Sequence, residues 1–326
     1  MFSIIIPLYN KGPYILNAVN SVLGQSYSNF ELIIVNDGST DDSLEKIGSY
    51  SDHRIKIINQ NNSGVSWARN NGVKEATKDY ICFLDADDWW DINYLSEMNK
   101  LIKDYPEAGL YGCKYSLVKY GIKKHATIGL DSDFQHGLIN YFRVYSKTMC
   151  MPLTSSSVII PKKIFEESGG FKPELKLGED FDLWLRIAVK YKVAFLNKPL
   201  AFYRQDSNEL YKAVNSKKLY NKLEHYIFHL DYLKEDEKSN PDLKYLLDKT
   251  RVESLYRYYI SKMYVGETAQ IIKKVDFSKQ PTLIRLKYNL PPGVNKFWFN
   301  SRIWLSGIKQ FILKSFYFLR NIKYVY

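Results

Sequence analysis

The chain has 326 residues, of which 45% are hydrophobic and 25% charged, so it can hold a large domain with an appended segment and is neither disordered nor polytopic. Its formal net charge of +11 is unevenly distributed, because residues 277–326 contain nine Lys or Arg residues and no Asp or Glu. The preceding residues are therefore close to neutral, which argues against a nucleic-acid-binding protein with a basic surface across its fold.

The N-terminus and the cysteines bear on the cellular compartment. The opening run MFSIIIPLYN has no basic stretch before it and no small-residue cleavage site after it, so the sequence predicts no secretion signal. Cys82, Cys113 and Cys150 are widely spaced and lack paired metal-ligand spacing, which favours reduced thiols. We therefore expect a cytoplasmic protein.

Short Ile-rich runs alternate with helical-length segments in the first part of the chain. Strands are predicted at 2–8, 30–36, 54–59 and 79–84, with helices at 14–24, 41–50 and 64–77. Continuous hydrophobicity is typical of strands that are buried on both faces of a parallel sheet. We predict an α/β, Rossmann-like domain with a mostly parallel sheet, whose ligand site lies at the carboxyl edge, where polar residues follow each strand.

The later part of the chain is less regular. Periodicity is weak from about 116 to 150, and helices are predicted at 161–168 and 179–191. The composition changes after Arg204, so we place a domain boundary near 210. The predicted organisation is a catalytic domain with a nucleotide-binding half and an acceptor-binding half, then a helical C-terminal region: 1–115, 116–210 and 211–326.

The motif LDADD brings Asp85, Asp87 and Asp88 into one short turn after a strand. Clustered carboxylates repel one another, so the arrangement is costly unless a cation neutralises it. Mg²⁺ or Mn²⁺ held by carboxylate and diphosphate oxygens fits this role. For the motif alone, a solvated turn that caps the following helix is an equal alternative.

Two further acidic positions and two arginines have both functional and structural interpretations. Asp37 can accept a hydrogen bond from a nucleobase N–H or can cap the next helix. Asp180 in GEDFDLWLR can be a general base or a plain acid at a helix start. Arg69 and Arg204 can pair with diphosphate or base, or can be structural ion-pair partners.

Six ordered blocks resemble glycosyltransferase family 2, whose members have the GT-A fold, over residues 1–208: SIIIPLYN, ELIIVNDGSTDDS, GVSWARNNG, ICFLDADD, GGFKPELKLGEDFDLWLR and FYR. The resemblance implies that the nucleotide-sugar donor is contacted by Pro7, Tyr9, Asp37, Arg69 and Asp85. It further implies that Asp87 ligates a divalent metal ion, Mn²⁺ or Mg²⁺. Asp180 would be the catalytic base, and the acceptor would be contacted by Glu179 and Trp184.

The sequence departs from the family pattern after FYR. Many relatives place a His where this chain has Asp206, so Asp206 and Arg204 are candidates for contact with the metal or the diphosphate. A QxxRW-type motif ahead of membrane spans, typical of processive members, is not found, which favours transfer of a single sugar.

The resemblance implies an inverting transferase for hexosyl or N-acetylhexosaminyl groups. The donor would be a nucleotide diphosphate sugar, with UDP expected. The acceptor would be a saccharide, free or linked to polyprenyl diphosphate, in the assembly of a surface polysaccharide such as capsule or O-antigen. A catalytically silent nucleotide-sugar-binding protein is the alternative.

The basic segment 298–326 has an apolar helical side and many aromatic residues. This pattern suits a helix that lies on an anionic membrane surface, and Lys309, Lys314 and Arg320 argue against a spanning helix. Packing on the catalytic domain or on a second subunit is an equal alternative. Peripheral attachment to the inner face of the cytoplasmic membrane is therefore one of two expectations.

Overall fold

The computed structural model describes residues 1–206, 218–290 and 294. The chain divides into two compact units, Met1–Leu243 and Lys244–Tyr326. The predicted boundary near residue 210 falls among residues 207–217, which lie outside the described residues.

The first unit contains a ten-stranded mixed sheet in its described residues. Its strands are β1 (Phe2–Leu8), β2 (Phe30–Asn36), β3 (Ile55–Asn59), β4 (Tyr80–Phe83), β5 (Trp89–Trp90), β6 (Ala108–Lys119), β7 (Ile122–His125), β8 (His136–Ile139), β9 (Val158–Pro161) and β10 (Lys192–Arg204). The strand order is β3-β2-β1-β4-β9-β6-β10-β5, with β7 paired to β6 and β8 paired to β10. The predicted α/β fold is confirmed.

The helices described in the first unit are α1 (Ile15–Leu23), α2 (Ser43–Gly48), α3 (Val65–Lys74), α4 (Tyr94–Asp104), α5 (Tyr141–Thr148), α6 (Lys162–Glu167), α7 (Glu179–Ala188) and α8 (Lys234–Ser239). Five of them lie within three residues of the predicted positions, whereas α4, α5 and α8 were given no bounds by the sequence analysis. Apolar residues of α1 at helical spacing, Ile15, Ala18, Val19 and Val22, are fully buried, which is why this segment packs on the sheet.

Strands β3, β2, β1 and β4 form a parallel half-sheet. In β1, Ile4, Ile5 and Ile6 have no exposed surface, as expected for a strand covered on both faces. The same expectation is wrong for β3, which lies at the sheet edge and exposes Lys56 and Ile57. An edge strand has a neighbour on one side only, so its side chains are less completely covered.

Antiparallel β9 joins this half to the parallel pair β6–β10. The segment 116–150, for which the sequence predicted only irregular or mixed structure, contains the end of β6, then β7, β8 and α5. Strand β7 is exposed along its whole length, so it carries no hydrophobic pattern from which a strand could be predicted.

The second unit is helical, as predicted for the C-terminal region. Its helices are α9 (Pro241–Ser261), which belongs to this unit from Lys244 onward, α10 (Val265–Ile272) and α11 (Thr282–Asn289). Leu246, Leu247 and Leu255 of α9 have no exposed surface. No helix among the described residues has the length and apolar character needed to cross a membrane. The aromatic segment 298–326 lies outside the described residues.

Candidate active site

The carboxyl ends of β1, β2 and β4 meet at one edge of the sheet, together with the end of β10. Tyr9 follows β1, Asp37 follows β2 and Asp85 lies two residues after β4. The N-terminus of α7 adds Glu179 to the same edge, because Glu179 shares a salt-bridge partner with Asp85. These four residues therefore belong to one site at the carboxyl edge of the sheet.

Arg69 of α3 connects the turn after β4 to the N-terminus of α7. Its Nη2 donates to Asp85 Oδ1 at 2.6 Å, and its Nη1 donates to Glu179 Oε1 at 3.2 Å. The guanidinium also lies over the ring of Phe171, 5.1 Å from its centroid. Burial alone would lower the pKa of Arg69, but Asp85 and Glu179 outweigh burial and raise it. Arg69 is therefore a permanent positive charge at the centre of the site.

Asp87 is paired with a lysine that the sequence analysis did not single out. Lys11 Nζ lies 2.5 Å from Asp87 Oδ2, and both side chains are largely buried. Burial raises the pKa of Asp87, and Lys11 works in the opposite direction. Lys11 directly follows Tyr9-Asn10, the end of a predicted strand. Its position at the predicted carboxyl edge of the sheet could therefore have identified it as a site residue.

Asp88 is fully buried and has a structural task. It accepts hydrogen bonds from Ser156 Oγ at 2.6 Å and from the backbone N–H of Arg204 at 3.0 Å. Burial, followed by the charges of its neighbours Asp85 and Asp87, raises its pKa well above the ordinary value. Asp88 thus ties the acidic turn to the end of β10. The LDADD motif alone did not show which of its three acids has this structural role.

Asp180 is the partly buried second residue of α7. Burial and the charge of Glu179 raise its pKa to about 7, although Arg69 works in the opposite direction. Its Oδ1 accepts the backbone N–H of Phe181 at 2.7 Å. A carboxylate with a pKa near the working pH is suited to accept a proton in catalysis.

Asp37 is buried and already accepts three hydrogen bonds from the protein. The donors are Gln60 Nε2 at 2.7 Å, and the backbone N–H groups of Ser63 at 2.7 Å and Gly64 at 2.8 Å. Its carboxylate therefore holds the loop that precedes α3, and it does not cap α2, which begins after Asp42. An ionised carboxylate has about four lone-pair sites, so one remains for a ligand.

Arg204 and Asp206 lie on the other side of the acidic turn. Arg204 Nε donates to the carbonyl of Asp87 at 3.0 Å, and its guanidinium lies 4.7 Å from the ring centroid of Trp89. Asp206 accepts the backbone N–H of Tyr120 at 2.7 Å, and its other oxygen is 3.8 Å from Arg204 Nη1. Both residues are thus anchored at the site's border.

The remaining predicted contacts are not equally accessible. Tyr9 is 44% exposed and Pro7 is partly buried in β1, so both border the open edge. Trp184 has no exposed surface and packs edge-on against Phe171, with 6.1 Å between ring centroids. The prediction that Trp184 contacts the acceptor therefore needs correction: the side chain belongs to the core of α7.

Tyr203, part of the FYR block, was not predicted as a site residue. Burial raises its pKa, and the charges of four site aspartates add to this effect: Asp88, Asp85, Asp87 and Asp180. Its hydroxyl therefore stays protonated and can donate a hydrogen bond at the acidic edge. Its side chain is 40% exposed, so a ligand can reach it.

The site contains more carboxylates than cationic side chains, so a divalent cation can offset part of the negative charge. Three cationic side chains, Lys11, Arg69 and Arg204, accompany the five carboxylates of Asp85, Asp87, Asp88, Glu179 and Asp180. Among the described residues no group of three or more His, Cys, Asp or Glu side chains is placed so that it could hold a metal ion by itself. Mg²⁺ and Mn²⁺ need no such cage when substrate phosphates and water supply the other ligands. The donor set therefore fits a metal that binds with the diphosphate.

The architecture is that of the GT-A class. The chain superposes on the crystal structure of S. aureus TarS residues 1–349 in complex with UDP-GlcNAc with a TM-score of 0.65 and 19% sequence identity, over 84% of this chain and 79% of that chain. At this level of identity the similarity establishes the fold alone.

Sequence relatives establish the family. The sequence model of "Glycosyl transferase family 2" matches residues 3–149, and that of "Glycosyl transferase family group 2" matches residues 80–221. A putative teichuronic acid biosynthesis glycosyltransferase of Bacillus subtilis, TuaG, is 31% identical over 64% of this chain and 81% of that protein. The chain therefore belongs to glycosyltransferase family 2.

Some relatives are much longer than the matched region. Glycosyltransferase GlyA of Streptococcus pneumoniae is 32% identical over 62% of this chain, but this region covers 30% of GlyA. An uncharacterized glycosyltransferase of Rickettsia felis is 34% identical over 62% of this chain and 32% of its own length. The match thus spans about a third of these two relatives, in both cases within a longer protein.

Proposed function

We propose that this chain is an inverting glycosyltransferase that moves one sugar from a nucleoside diphosphate donor, a UDP-sugar, to a saccharide acceptor. The observation that carries the proposal is the position of Asp180. Its carboxylate, with a pKa raised to about 7, lies at the N-terminus of α7 beside Glu179, at the edge that also holds Asp85 and Asp87. A binding protein without catalysis does not require a base with this pKa.

The donor half of the site consists of the turns after β1, β2 and β4. We assign Tyr9, Pro7 and the remaining lone pair of Asp37 to the nucleotide, and Asp85 to the ribose. Arg69 holds Asp85 in place through its 2.6 Å hydrogen bond. Lys11 beside Asp87 supplies a positive charge within reach of a diphosphate.

Asp87 is the residue that would hold the divalent metal. When bound, Mn²⁺ or Mg²⁺ supplies Lewis-acid stabilisation of the charge that develops on the departing nucleoside diphosphate. Arg204 and Asp206 border this position and are candidates for further contact with the metal or the diphosphate.

The chemical step needs one base. Asp180 in its carboxylate form accepts the proton of the acceptor hydroxyl while that oxygen forms a bond to the anomeric carbon. The bond between this carbon and the diphosphate oxygen breaks on the opposite face, and its electron pair leaves with the nucleoside diphosphate. Direct displacement of this kind inverts the anomeric centre through an oxocarbenium-like transition state. Glu179 borders the acceptor position.

The names of the similar proteins support a UDP-sugar donor and an acceptor in surface-polysaccharide assembly. TuaG is named for teichuronic acid biosynthesis, and the structure of TarS was determined with UDP-GlcNAc. We propose a saccharide acceptor, either free or linked to polyprenyl diphosphate, and transfer of a hexosyl or N-acetylhexosaminyl group. We further propose that the enzyme acts on the cytoplasmic side of the membrane.

The proposed function is tested by offering the full chain a panel of UDP- and GDP-sugars with Mn²⁺ or with EDTA, and by measuring nucleotide release and product anomer. We expect release with a UDP-sugar and Mn²⁺, its loss with EDTA, and a product of inverted configuration. Metal-independent turnover, or a retained configuration, would contradict the mechanism. Nucleotide-sugar binding without any turnover across a panel of saccharide acceptors would favour the silent binding protein.

The membrane contact of segment 297–326 is a separate proposal. Its basic and aromatic residues support attachment to anionic lipid. Deleting residues 297–326 should reduce binding to anionic liposomes while donor hydrolysis is retained. Unchanged liposome binding would contradict the membrane role of this segment.

A further inference from the structure

The second unit contains a cavity of about 770 Å³. Its walls come from all three helices of this unit: Tyr258 and Tyr259 of α9, Val265, Ala269 and Ile272 of α10, and Tyr288 of α11. Small-molecule sites in proteins have volumes of roughly 300–1,000 Å³ and mostly apolar walls. The cavity is therefore large enough for a ligand, and it is built from residues that the proposed transfer reaction does not use.

The aromatic wall is apolar because its hydroxyl groups are engaged elsewhere. The Tyr259 hydroxyl shares its single proton between the backbone carbonyls of Tyr288 at 3.2 Å and Leu290 at 3.1 Å. The Tyr288 hydroxyl donates to the carbonyl of Val252 at 2.7 Å. The ring centroids of Tyr259 and Tyr288 are 5.1 Å apart, and Phe277 lies 5.7 Å from Tyr288. These contacts leave ring surfaces to line the cavity.

Three cations border the same cavity, namely Lys262, Lys273 and Arg285. All three are exposed, and within the described part of the second unit none has a salt bridge or a side-chain hydrogen bond. Other cations of this unit are paired, as Lys279 is with Asp276 at 3.7 Å. The cavity thus combines apolar walls with uncompensated positive charge.

The charge decides between two kinds of occupant. The chain's own segment 295–326 contains six Lys or Arg residues and no Asp or Glu, so the cationic border repels it. An anion attached to an apolar chain satisfies both features of the cavity, because the chain fills the aromatic part and the anion pairs with the cations. Exposed apolar residues of α10 and α11, Val265, Leu283 and Leu286, are of the kind that contacts a lipid surface.

We propose that this cavity binds an anionic phospholipid, with an acyl chain between α9, α10 and α11 and the phosphate at Lys262, Lys273 and Arg285. The described residues that line the site all belong to the second unit. Its occupancy does not depend on which sugar the first unit transfers.

Two variants of the full chain separate charge from shape. The first combines Lys262→Gln, Lys273→Gln and Arg285→Gln. Its control combines Lys103→Gln, Lys163→Gln and Lys190→Gln, which are exposed positions of the first unit, so the net charge changes equally. The second variant, Ala269→Trp, fills the cavity without a change of charge. Its control is Gln270→Trp, the exposed next position of α10, which does not line the cavity.

Binding is measured by co-sedimentation with phosphatidylcholine vesicles that contain phosphatidylglycerol, and by fluorescence of a pyrene-labelled phosphatidic acid in micelles. We expect the cavity charge variant to reduce vesicle binding about tenfold or more, and its control by less than about twofold. Ala269→Trp should reduce binding of the labelled lipid about tenfold, whereas Gln270→Trp should leave it unchanged. Circular dichroism checks that each variant is folded.

Equal losses in the two charge variants would overturn the proposal, since they would indicate attraction by net charge alone. Unchanged lipid binding in a folded Ala269→Trp variant would overturn it as well. Deleting residues 295–326 should not alter binding of the labelled lipid in micelles. An increase after this deletion would identify the C-terminal segment as the occupant and would also contradict the proposal.

Discussion

Helix α7 carries two aspartates, Asp180 and Asp182, whose surroundings differ in charge balance. Successive residues of an α-helix are 100° apart, so these side chains point to nearly opposite sides. Asp182 is fully buried and has Lys172 at 2.9 Å, Arg186 at 2.9 Å and the Tyr232 hydroxyl at 3.1 Å. Asp180 lies among Glu179, Asp85 and one arginine, Arg69. Asp182, whose charge is balanced by its cationic neighbours, stabilises the fold. Asp180, which has more acidic than basic neighbours, is available for proton transfer.

Replacing Asp180 by Asn should give the largest effect. The amide cannot accept the proton, so turnover should fall by about 10² to 10⁴-fold, the usual contribution of a general base. Donor binding should change little, because the amide keeps the shape of the side chain. Turnover of sugar transfer and the dissociation constant of the donor are the measurements. Full activity in Asp180→Asn would remove Asp180 from the chemistry.

Asp182→Asn should give the opposite pattern. Removing one partner of a buried ion pair leaves uncompensated charge, here on Lys172 and Arg186, and typically costs about 3 kcal/mol of the free energy of unfolding or more. Turnover per folded molecule should remain near that of the wild type. Urea unfolding together with active-site titration measures both quantities. A stable but inactive Asp182→Asn variant would show that the two acids are not divided in this way.

The pH dependence of stability sharpens the comparison further. The pKa of Asp180 is raised from 3.8 to about 7 in the fold, so its protonated form contributes stability that is fully present below pH 3.8 and is lost as the pH rises towards 7. The stability of the wild type relative to Asp180→Asn should therefore decline across this interval, by up to about 1.4 kcal/mol per pH unit. Urea unfolding at several pH values measures the difference. A constant difference would contradict the raised pKa.

The smallest expected effect is that of Glu179→Gln. The charge of Glu179 raises the pKa of Asp180, so its removal should lower that pKa. The acidic limb of the pH–turnover profile should then move to lower pH, by about one unit or less. An unchanged or alkaline-shifted limb would mean that Glu179 does not act on Asp180 by its charge.

The sequence predicted the parallel half of the fold well because burial leaves a clear pattern there. The Ile-rich run of β1 was predicted with its observed bounds, and the helices α1 and α3 were predicted to within three residues at each end. Strand β7 was not predicted, because its exposed residues, IKKH, follow no apolar alternation. Strand β8 is likewise largely exposed.

The sequence predicted most residues of the candidate site but not the ion pairs that they form. The predicted strand ends located Asp37, Asp85 and Asp87 at one edge of the sheet, and the family resemblance added Asp180 as the expected base. It could not tell that Lys11 would meet Asp87, because the two residues are 76 positions apart. Trp184 was misassigned for a related reason. A helix near a site has one side in the core, and the amphipathic sequence of α7 does not show which of its aromatic residues are covered by other elements.

The hydrogen bonds of Asp88 have a consequence for engineering new specificities. Recombining the front of one family member with the back of another at residue 88 or 89 separates Asp88 from Ser156 and Arg204, its two donors. A hybrid whose incoming segment lacks a hydroxyl at 156 retains a buried acid with one donor fewer. Chimeras should therefore be joined after residue 206, or be selected for a Ser or Thr at position 156, so that the hydrogen bonds of Asp88 are retained.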